Sequence, residues 1–542
     1  MPRPLWSALV RVEPTARRED THVADAAATI ASGYAFGTAS IELGSVSVDG
    51  QVDPAAKVRI PLAMMNRHGL VAGATGTGKT KSIQVVAEQL SANGVPVVMA
   101  DIKGDLSGLM NPGVSGEKIV ERATLTADDW VPASSPVEFV SLGSEGIGVP
   151  IRATVTSFGP ILLSKVLGLN ATQESVLGLI FHWADQQALP LLDLKDLRSV
   201  ITYLTSDEGK PELKGIGGVS TQSAGVILRA VANLEAQGGD TFFGEPEIEP
   251  EDLIRLDSEG RGVITLFELG AHSGRPVLFS TFLMWILADL FEFLPEVGDL
   301  DKPKLVFIFD EAHLLFDDAS KAFIEQVEQT VKLIRSKGVG VFFCSQLPTD
   351  IPDGVLSQLG ARIQHALRAF TPDDQKALRR TVRTYPTSDV YDLEKALTSL
   401  GTGEAIVTVL SEKGAPTPVA WTVLRAPRSS MDAVAADAIT AAAKAGPLYP
   451  KYGRSIDRDS AYERLAAKTL APGESPDAPP PAPEPINEPQ PAPEPKSMSE
   501  EPSVITEVLS SKPVQSFLRQ AASQAGREFS RAIFGTGRRR RR

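Results

Sequence analysis

Short runs of consecutive apolar residues alternate along this chain with stretches in which apolar positions recur every three or four residues, the signatures of buried strands and of helices. His68 to Ala72 predicts a short buried strand, and Lys81 to Gln89 predicts the helix after it. Val95 to Ala100 predicts a second buried strand, with Pro96 near its start, where a missing N–H donor is tolerated. From about 150 to 245 the pattern turns helical. In Gln173 to Gln187, for example, Val176, Leu177, Ile180 and Trp183 share one helix face, and this block is expected to be an insertion. The strand pattern then resumes at Gly262 to Leu266, followed by an apolar helix at Pro276 to Phe293, the five-residue apolar run Leu305 to Phe309, and a helix from about 320 to 336. After these come Gly340 to Ser345, the segment Ala361 to Ala369, and a late strand around Glu404 to Leu410. Strands alternating with helices predict an α/β fold with a doubly wound, mostly parallel sheet, whose ligand site lies at the carboxyl ends of the strands.

Beyond about 470 the pattern fails. Twelve of the chain's 40 prolines fall between Pro472 and Pro502 among alanines and glutamates, the composition of an extended, unfolded spacer. After it, Val514, Phe517, Leu518, Ala521, Ala525, Phe529 and Ile533 recur at helical spacing with Arg519, Arg527 and Arg531 between them, and five arginines, Arg538 to Arg542, follow. Residues 504–542 hold nine Lys/Arg against Glu507 and Glu528, a net +7, which leaves −20 for the rest of a chain whose total is −13. An acidic body of this kind does not look like a broad nucleic-acid-binding surface. The basic segment suits nucleic acid, an anionic membrane surface or an acidic face of a neighbouring subunit.

A hydrophobic content of 42% over 542 residues is enough for a large core. No apolar stretch reaches the roughly 18 residues of a membrane span, and no signal-peptide core is present, so a cytoplasmic protein is expected. The one cysteine, Cys344, sits in an apolar strand and reads as a buried structural thiol. Six scattered histidines show no metal-ligand spacing; His313, beside an acidic pair, fits a nucleotide sensor or a satisfied structural residue equally.

Two motifs carry the chemistry. Gly73, Ala74, Thr75, Gly76, Thr77, Gly78, Lys79 and Thr80 form a complete phosphate-binding loop between strand and helix: glycines turn backbone N–H groups toward an anion, Lys79 reaches the β- and γ-phosphates, and Thr80 is placed to ligate Mg²⁺. The apolar run Leu305 to Phe309 ends in Asp310 and Glu311, with Asp310 231 positions after Lys79. A strand buried on both faces delivers such residues at its carboxyl end, Asp310 toward the metal and Glu311 toward the attacking water. An NTPase with Mg²⁺ and a nucleoside triphosphate at the site is expected.

These residues, together with Ala100 to Leu106, Asp310 to Leu315, Ile334 to Gly340, Ser345-Gln346 and Gln358 to Phe370, resemble the HerA/FtsK superfamily, and most of all the YjgR-type HerA-like ATPases of bacteria. The resemblance covers about residues 30 to 430 and the last 40. It implies a RecA-like core with an additional strand, assembly as a homo-oligomeric ring, usually a hexamer, and ATP at subunit boundaries. It further implies that Arg335, 24 positions after Glu311, acts on the neighbouring subunit's nucleotide and that Gln346 senses the γ-phosphate. Arg335 also ends a helix, where a cation favours the dipole, and Arg362 and Arg368 are weaker candidates for its task. Only about 70 residues precede the loop, too few for the N-terminal barrel with which HerA docks a nuclease, so that partnership does not carry over. A DEAH-box helicase reading of Asp310 to His313 lacks a second RecA-like domain.

The expected organisation is a β-rich segment at 1–60, the first part of the ATPase core at 61–150, a helical insertion at 151–250, the rest of the core at 251–430, a helical extension at 431–470, a Pro/Ala/Glu linker at 471–503, and a detached basic amphipathic helix at 504–542. The expected function is ATP hydrolysis coupled to DNA translocation or processing. The alternatives are a nucleotide-gated scaffold and a protein-translocating motor related to conjugation and secretion ATPases.

Overall fold

A computed structural model describes residues 16–213, 217–270, 276–317, 319 and 321–469. The linker and the basic helix expected at 471–542 lie outside the described residues. Among the described residues there are twelve strands: β1 (Ser40–Val48), β2 (Gln51–Pro61), β3 (Gly69–Ala72), β4 (Val97–Asp101), β5 (Val137–Leu142), β6 (Val149–Ile151), β7 (Ile264–Glu268), β8 (Leu305–Phe309), β9 (Val339–Ser345), β10 (Ala361–Gln364), β11 (Glu404–Thr408) and β12 (Ala420–Leu424). They form one sheet in the order β2-β1-β12-β11-β10-β3-β9-β8-β4-β7-β5-β6. The neighbours from β10 through β6 run parallel, and β2, β1, β12 and β11 extend the β10 edge antiparallel.

Burial explains which runs became central strands. β3, β4, β7, β8 and β9 are buried at every residue, as parallel strands covered on both faces must be. In the middle of the sheet, the rings of Phe307 and Phe309 stack at 4.6 Å, and those of Phe309 and Phe343 at 5.4 Å. Helices Lys79–Ala92, Pro276–Phe293 and Lys321–Ile334 follow β3, precede β8 and precede β9, the alternation expected of a doubly wound fold. Between β6 and β7 the chain is helical, with Ala171–Gln186 and Leu194–Thr205 each opened by a capping box, from Asn170 and Asp193.

Several boundaries differ from the pattern-based expectation, for one physical reason. The strand expected at Gly262 to Leu266 is Ile264–Glu268, and the one expected at Val95 to Ala100 is Val97–Asp101. Glu268 and Asp101 look like turn residues but continue the ladder, where they face each other in register. Ala361 to Ala369 contributes only the four residues of β10. The N-terminal segment is not β alone. A helix, Ala16–Ser32, precedes β1 and β2, and that hairpin joins the main sheet through β12.

Phe307 is fully buried at one end of this stack. Phe307→Ala is expected to destabilise the protein by about 3–5 kcal/mol, through lost burial and a cavity that the sheet cannot close. A shift of that size in the denaturant midpoint at unchanged slope checks it, and a shift under about 1 kcal/mol contradicts the packing described.

Candidate nucleotide-binding site

β9 lies between β3, which leads into the glycine-rich loop, and β8, which leads into the acidic pair. Registers fix how these meet. Ala72 pairs with Ser345 and Phe309 with Phe343, so Gly73 and Asp310 leave the sheet within about two residues of the same level. Two further backbone bonds extend the match past the strand ends: Gly73 N–H to the Ser345 carbonyl at 3.2 Å, and Ala312 N–H to the Cys344 carbonyl at 2.8 Å. At about 4.8 Å per strand, the loop and the acidic pair are about 10 Å apart across β9. Residues 231 positions apart in sequence thus flank one small space.

The loop's shape depends on its glycines at two points. Gly78 caps helix Lys79–Ala92 with φ +111°, a conformation closed to side chains. At Gly73, a Cβ would lie 2.5 Å from the Cβ of His365. His365 is fully buried, its N–H bonds the Ala72 carbonyl at 2.7 Å, and its Nε2 lies 2.9 Å from Ser82 Oγ. Burial, aided by the charge of Lys79, lowers its pKa to about 4, so a neutral ring buttresses the loop. Lys79 Nζ donates to the Gly73 carbonyl at 2.7 Å and to the Ala74 carbonyl at 3.3 Å, folded over the space a phosphate would fill. Thr80 follows it in the first helical turn.

On the other side of β9, Asp310 is 7% exposed; its Oδ1 accepts the Glu311 N–H at 2.9 Å, and its Oδ2 has no partner. Burial first, and the charge of Glu311 next, raise its pKa. Cys344, 1% exposed, lies against it, and burial pushes the thiol's pKa well up, as expected of an inert structural cysteine. Glu311 adopts a left-handed backbone, φ +47°, which for a non-glycine residue marks stored strain of the kind found at functional sites. Its Oε1 accepts from Lys103 Nζ at 2.5 Å, and His313 Nδ1 stands 3.5 Å from its Oε2. Gln346, exposed, follows the end of β9 between the two motifs.

The arginines separate. Arg368 Nη2 donates to the Thr75 carbonyl of its own loop at 3.3 Å. Arg335 and Arg362 lie at the opposite edge of the sheet, where β9 and β10 begin. β9 alone spans about 23 Å, at about 3.3 Å for each of its seven residues. Arg335 can therefore not touch this chain's own loop, while Arg362, which in β10 pairs with Leu70 of β3, is held on Thr384 instead.

A family model described as "Helicase HerA-like C-terminal" matches residues 47–542. The chain belongs to this HerA-like family. It is similar to the DNA double-strand break repair helicases HerA of Sulfolobus acidocaldarius, at 21% identity over 371 residues, and of Saccharolobus solfataricus, at 22% over 367. Each match covers 67% of this chain and 66% of the relative, so the chain spans about two thirds of those HerA proteins. Among solved structures it is similar to the bacterial conjugative coupling protein TrwB (TM-score 0.49, 14% identity, 76% of this chain and 95% of that one). It is also similar to VirB4 of Thermoanaerobacter pseudethanolicus (TM-score 0.45, 15% identity, 72% and 97%).

Three residues of this HerA-like site were not singled out from sequence. His365 and Lys103 lie within stretches that carried the family resemblance, but no spacing in one sequence says that one supports the loop and the other holds Glu311. Glu268, at the end of β7, is 4% exposed with Oε1 unpartnered. Burial, with the neighbouring Asp101 charge, raises its pKa to about 8. Asp101 accepts the N–H groups of Gly104 at 2.7 Å and Leu106 at 2.8 Å, and burial raises it to about 6. Asp101, Glu268 and Asp310 thus form a row of buried carboxyls along one sheet edge.

Glu268 retains a proton in the folded state that the unfolded chain gives up near 4.5, so stability falls as pH rises from there to about 8. The lowered histidines, His68 and His365, titrate between about 4 and 6.5, and raised Asp101 and Asp289 below about 6, so from 6.5 to 8 the fall comes from Glu268 together with Asp310, which burial raises in the same sense. The protein without nucleotide is expected to lose about 1 kcal/mol per pH unit in that window, and Glu268→Gln to flatten the slope. Denaturant titrations at several pH values check this; identical slopes in the two proteins would contradict it.

Proposed function

We propose that this protein hydrolyses ATP as a ring of identical subunits, a hexamer, and that hydrolysis drives the movement or processing of DNA. The observation that supports the hydrolytic part is the meeting of a phosphate-binding loop and an acidic pair across one strand. Lys79 would leave the Gly73 and Ala74 carbonyls for the β- and γ-phosphates, and the loop's N–H groups would hold the same anion. Asp310 and Thr80 would hold Mg²⁺: the buried, unpartnered Oδ2 of Asp310 fits a cation, which supplies charge neutralisation at the phosphate oxygens. Glu311 would exchange Lys103 for the attacking water, orienting it as a hydrogen-bond acceptor. Gln346 would read the γ-phosphate from the end of β9, and Arg335 would act on the neighbouring subunit's nucleotide.

DNA as the moved polymer follows the HerA relatives, which are named as repair helicases. The acidic composition outside the basic segment favours a narrow contact, such as a ring's interior, over a broad surface. A protein-moving motor and a nucleotide-gated scaffold are the competing readings. No helix among the described residues is long and apolar enough to cross a membrane.

Lys79→Ala and Glu311→Gln are each expected to lower ATP turnover at least 100-fold, with Glu311→Gln still binding nucleotide. Turnover that survives in either variant refutes the site. DNA should raise the wild-type rate, with an affinity that falls steeply with salt; no response to DNA at low salt refutes the DNA motor alone.

Lys79→Ala and Arg335→Ala proteins, each inactive alone, are expected to recover part of the turnover when mixed, because one supplies an intact arginine and the other an intact loop. If mixing restores nothing while the two proteins demonstrably co-assemble, Arg335 does not act between subunits.

A further inference from the structure

Helix Pro372–Val382 follows β10 and carries Lys376, Arg379 and Arg380, with Arg383 at its carboxyl cap. The spacing of these four, i, i+3, i+4 and i+7, puts them on one helix face over about 10 Å, at 1.5 Å of rise per residue. All four are exposed. On the opposite face Leu378 and Thr381 are buried, and Leu378 belongs to a cluster with Leu367, Tyr385 and Leu397. A capping box fixes the start of the helix: Thr371 Oγ1 accepts the Asp374 N–H at 3.1 Å, and Asp374 Oδ2 accepts the N–H groups of Thr371 at 2.9 Å and Phe370 at 3.1 Å. A seated helix thus presents the basic face.

Cations at these spacings repel one another, although one or two near a helix's carboxyl end suit its dipole. Four exceed that need, and Lys376 lies before the last turn, where the dipole no longer acts. Among the described residues, no ion pair joins any of the four to a carboxylate. The helix's own acidic residues, Asp373 and Asp374, sit in its first turn, where the dipole favours them. Just before the helix stands Phe370, 83% exposed, a ring left in water although its burial would be favourable. The segment that carries Phe370 also touches the phosphate-binding loop. Ala74 N–H donates to the Ala366 carbonyl at 2.8 Å, and Arg368 Nη2 donates to the Thr75 carbonyl at 3.3 Å.

We propose that Phe370 and the basic face of helix Pro372–Val382 bind single-stranded DNA, with backbone phosphates on the four cations and one base stacked on the ring. Three of the cations are arginines, whose planar forks match phosphate oxygens. An aromatic platform beside a row of cations holds unpaired strands, whereas in a duplex the base faces are covered by their neighbours. An acidic protein surface would match the cations and leave the ring unused. The surface rests on the reading above of DNA as the polymer, and it adds where a strand lies and how its arrival reaches the loop, through residues 366–370.

Full-length protein is titrated with labelled oligothymidylate, and with a duplex of equal length, by fluorescence anisotropy at several salt concentrations. The basic segment at 504–542 is present in every protein compared, so differences between variants belong to the helix. Lys376→Gln, Arg379→Gln, Arg380→Gln and Arg383→Gln together are expected to weaken single-strand binding at least tenfold, with an unchanged thermal midpoint. They should also reduce the slope of log affinity against log salt by about 3, at about 0.7 per phosphate. Arg379→Lys, Arg380→Lys and Arg383→Lys together should keep the slope. Phe370→Ala is expected to weaken single-strand binding about fivefold or more, with the slope and duplex binding unchanged. A slope that the Gln replacements leave intact overturns the proposal, as does a Phe370→Ala protein that binds oligothymidylate like the wild type. If the Gln replacements break an assembly seen by light scattering and spare DNA affinity, the face joins copies of the chain and the proposal falls. ATP turnover separates this surface from the motor. Loss of single-strand binding in the variants, with no DNA effect on wild-type turnover, upholds the surface and refutes the motor; equal DNA stimulation of wild type and Gln variant upholds the motor and overturns the surface.

Discussion

The insertion of β9 between β3 and β8 is the constraint on which the rest depends. Its parallel ladders set the level at which the glycine-rich loop and the acidic pair emerge, and bonds from Gly73 and Ala312 carry that registration beyond the strand ends. A slip of one residue in the β8–β9 ladder would turn Asp310 to the other face of the sheet, and one in the β3–β9 ladder would do the same to Gly73. The stacked Phe307, Phe309 and Phe343 oppose such a slip, because it would break their ring contacts and force them into the packing of the opposite, equally covered face. Core packing and site geometry are therefore one property of the same two strands.

Electrostatics across the sheet show a division by edge. At the carboxyl ends, Asp101, Glu268 and Asp310 lie in a row, each with a raised pKa because burial opposes its charge. Lys103 and Lys79 are the nearby cations, and without nucleotide they rest on Glu311 and on loop carbonyls. At the amino ends, Arg67, Lys332, Arg335 and Arg362 stand together without a lining carboxylate. One edge suits a metal-bound polyphosphate, and the other gathers cations away from it.

Much of the fold could be read from pattern alone, since each central strand is a run of apolar residues with a helix on either side. The helix at Pro276–Phe293 has the bounds that its periodicity implies. Strand ends were less legible: Asp101 and Glu268 are charged residues that remain in the ladder, and nothing local says that a carboxyl will be buried and protonated. The hairpin β1–β2 could not be assigned to the main sheet, because its neighbour β12 lies some 380 residues on.

By itself, the sequence determined the chemistry of the loop and of the acidic pair, since eight residues of one type order and a strand ending in two carboxylates have few other uses. It also determined that Cys344 would be buried and that the parallel strands would be central. Only the tertiary structure decided that Lys103 holds Glu311, that His365 supports Gly73, and that Arg368 faces its own loop while Arg335 and Arg362 stand at the far edge. The physical reason is that strand order, unlike strand identity, is set by long-range pairing of backbones, and every one of those contacts joins elements whose adjacency no local pattern encodes.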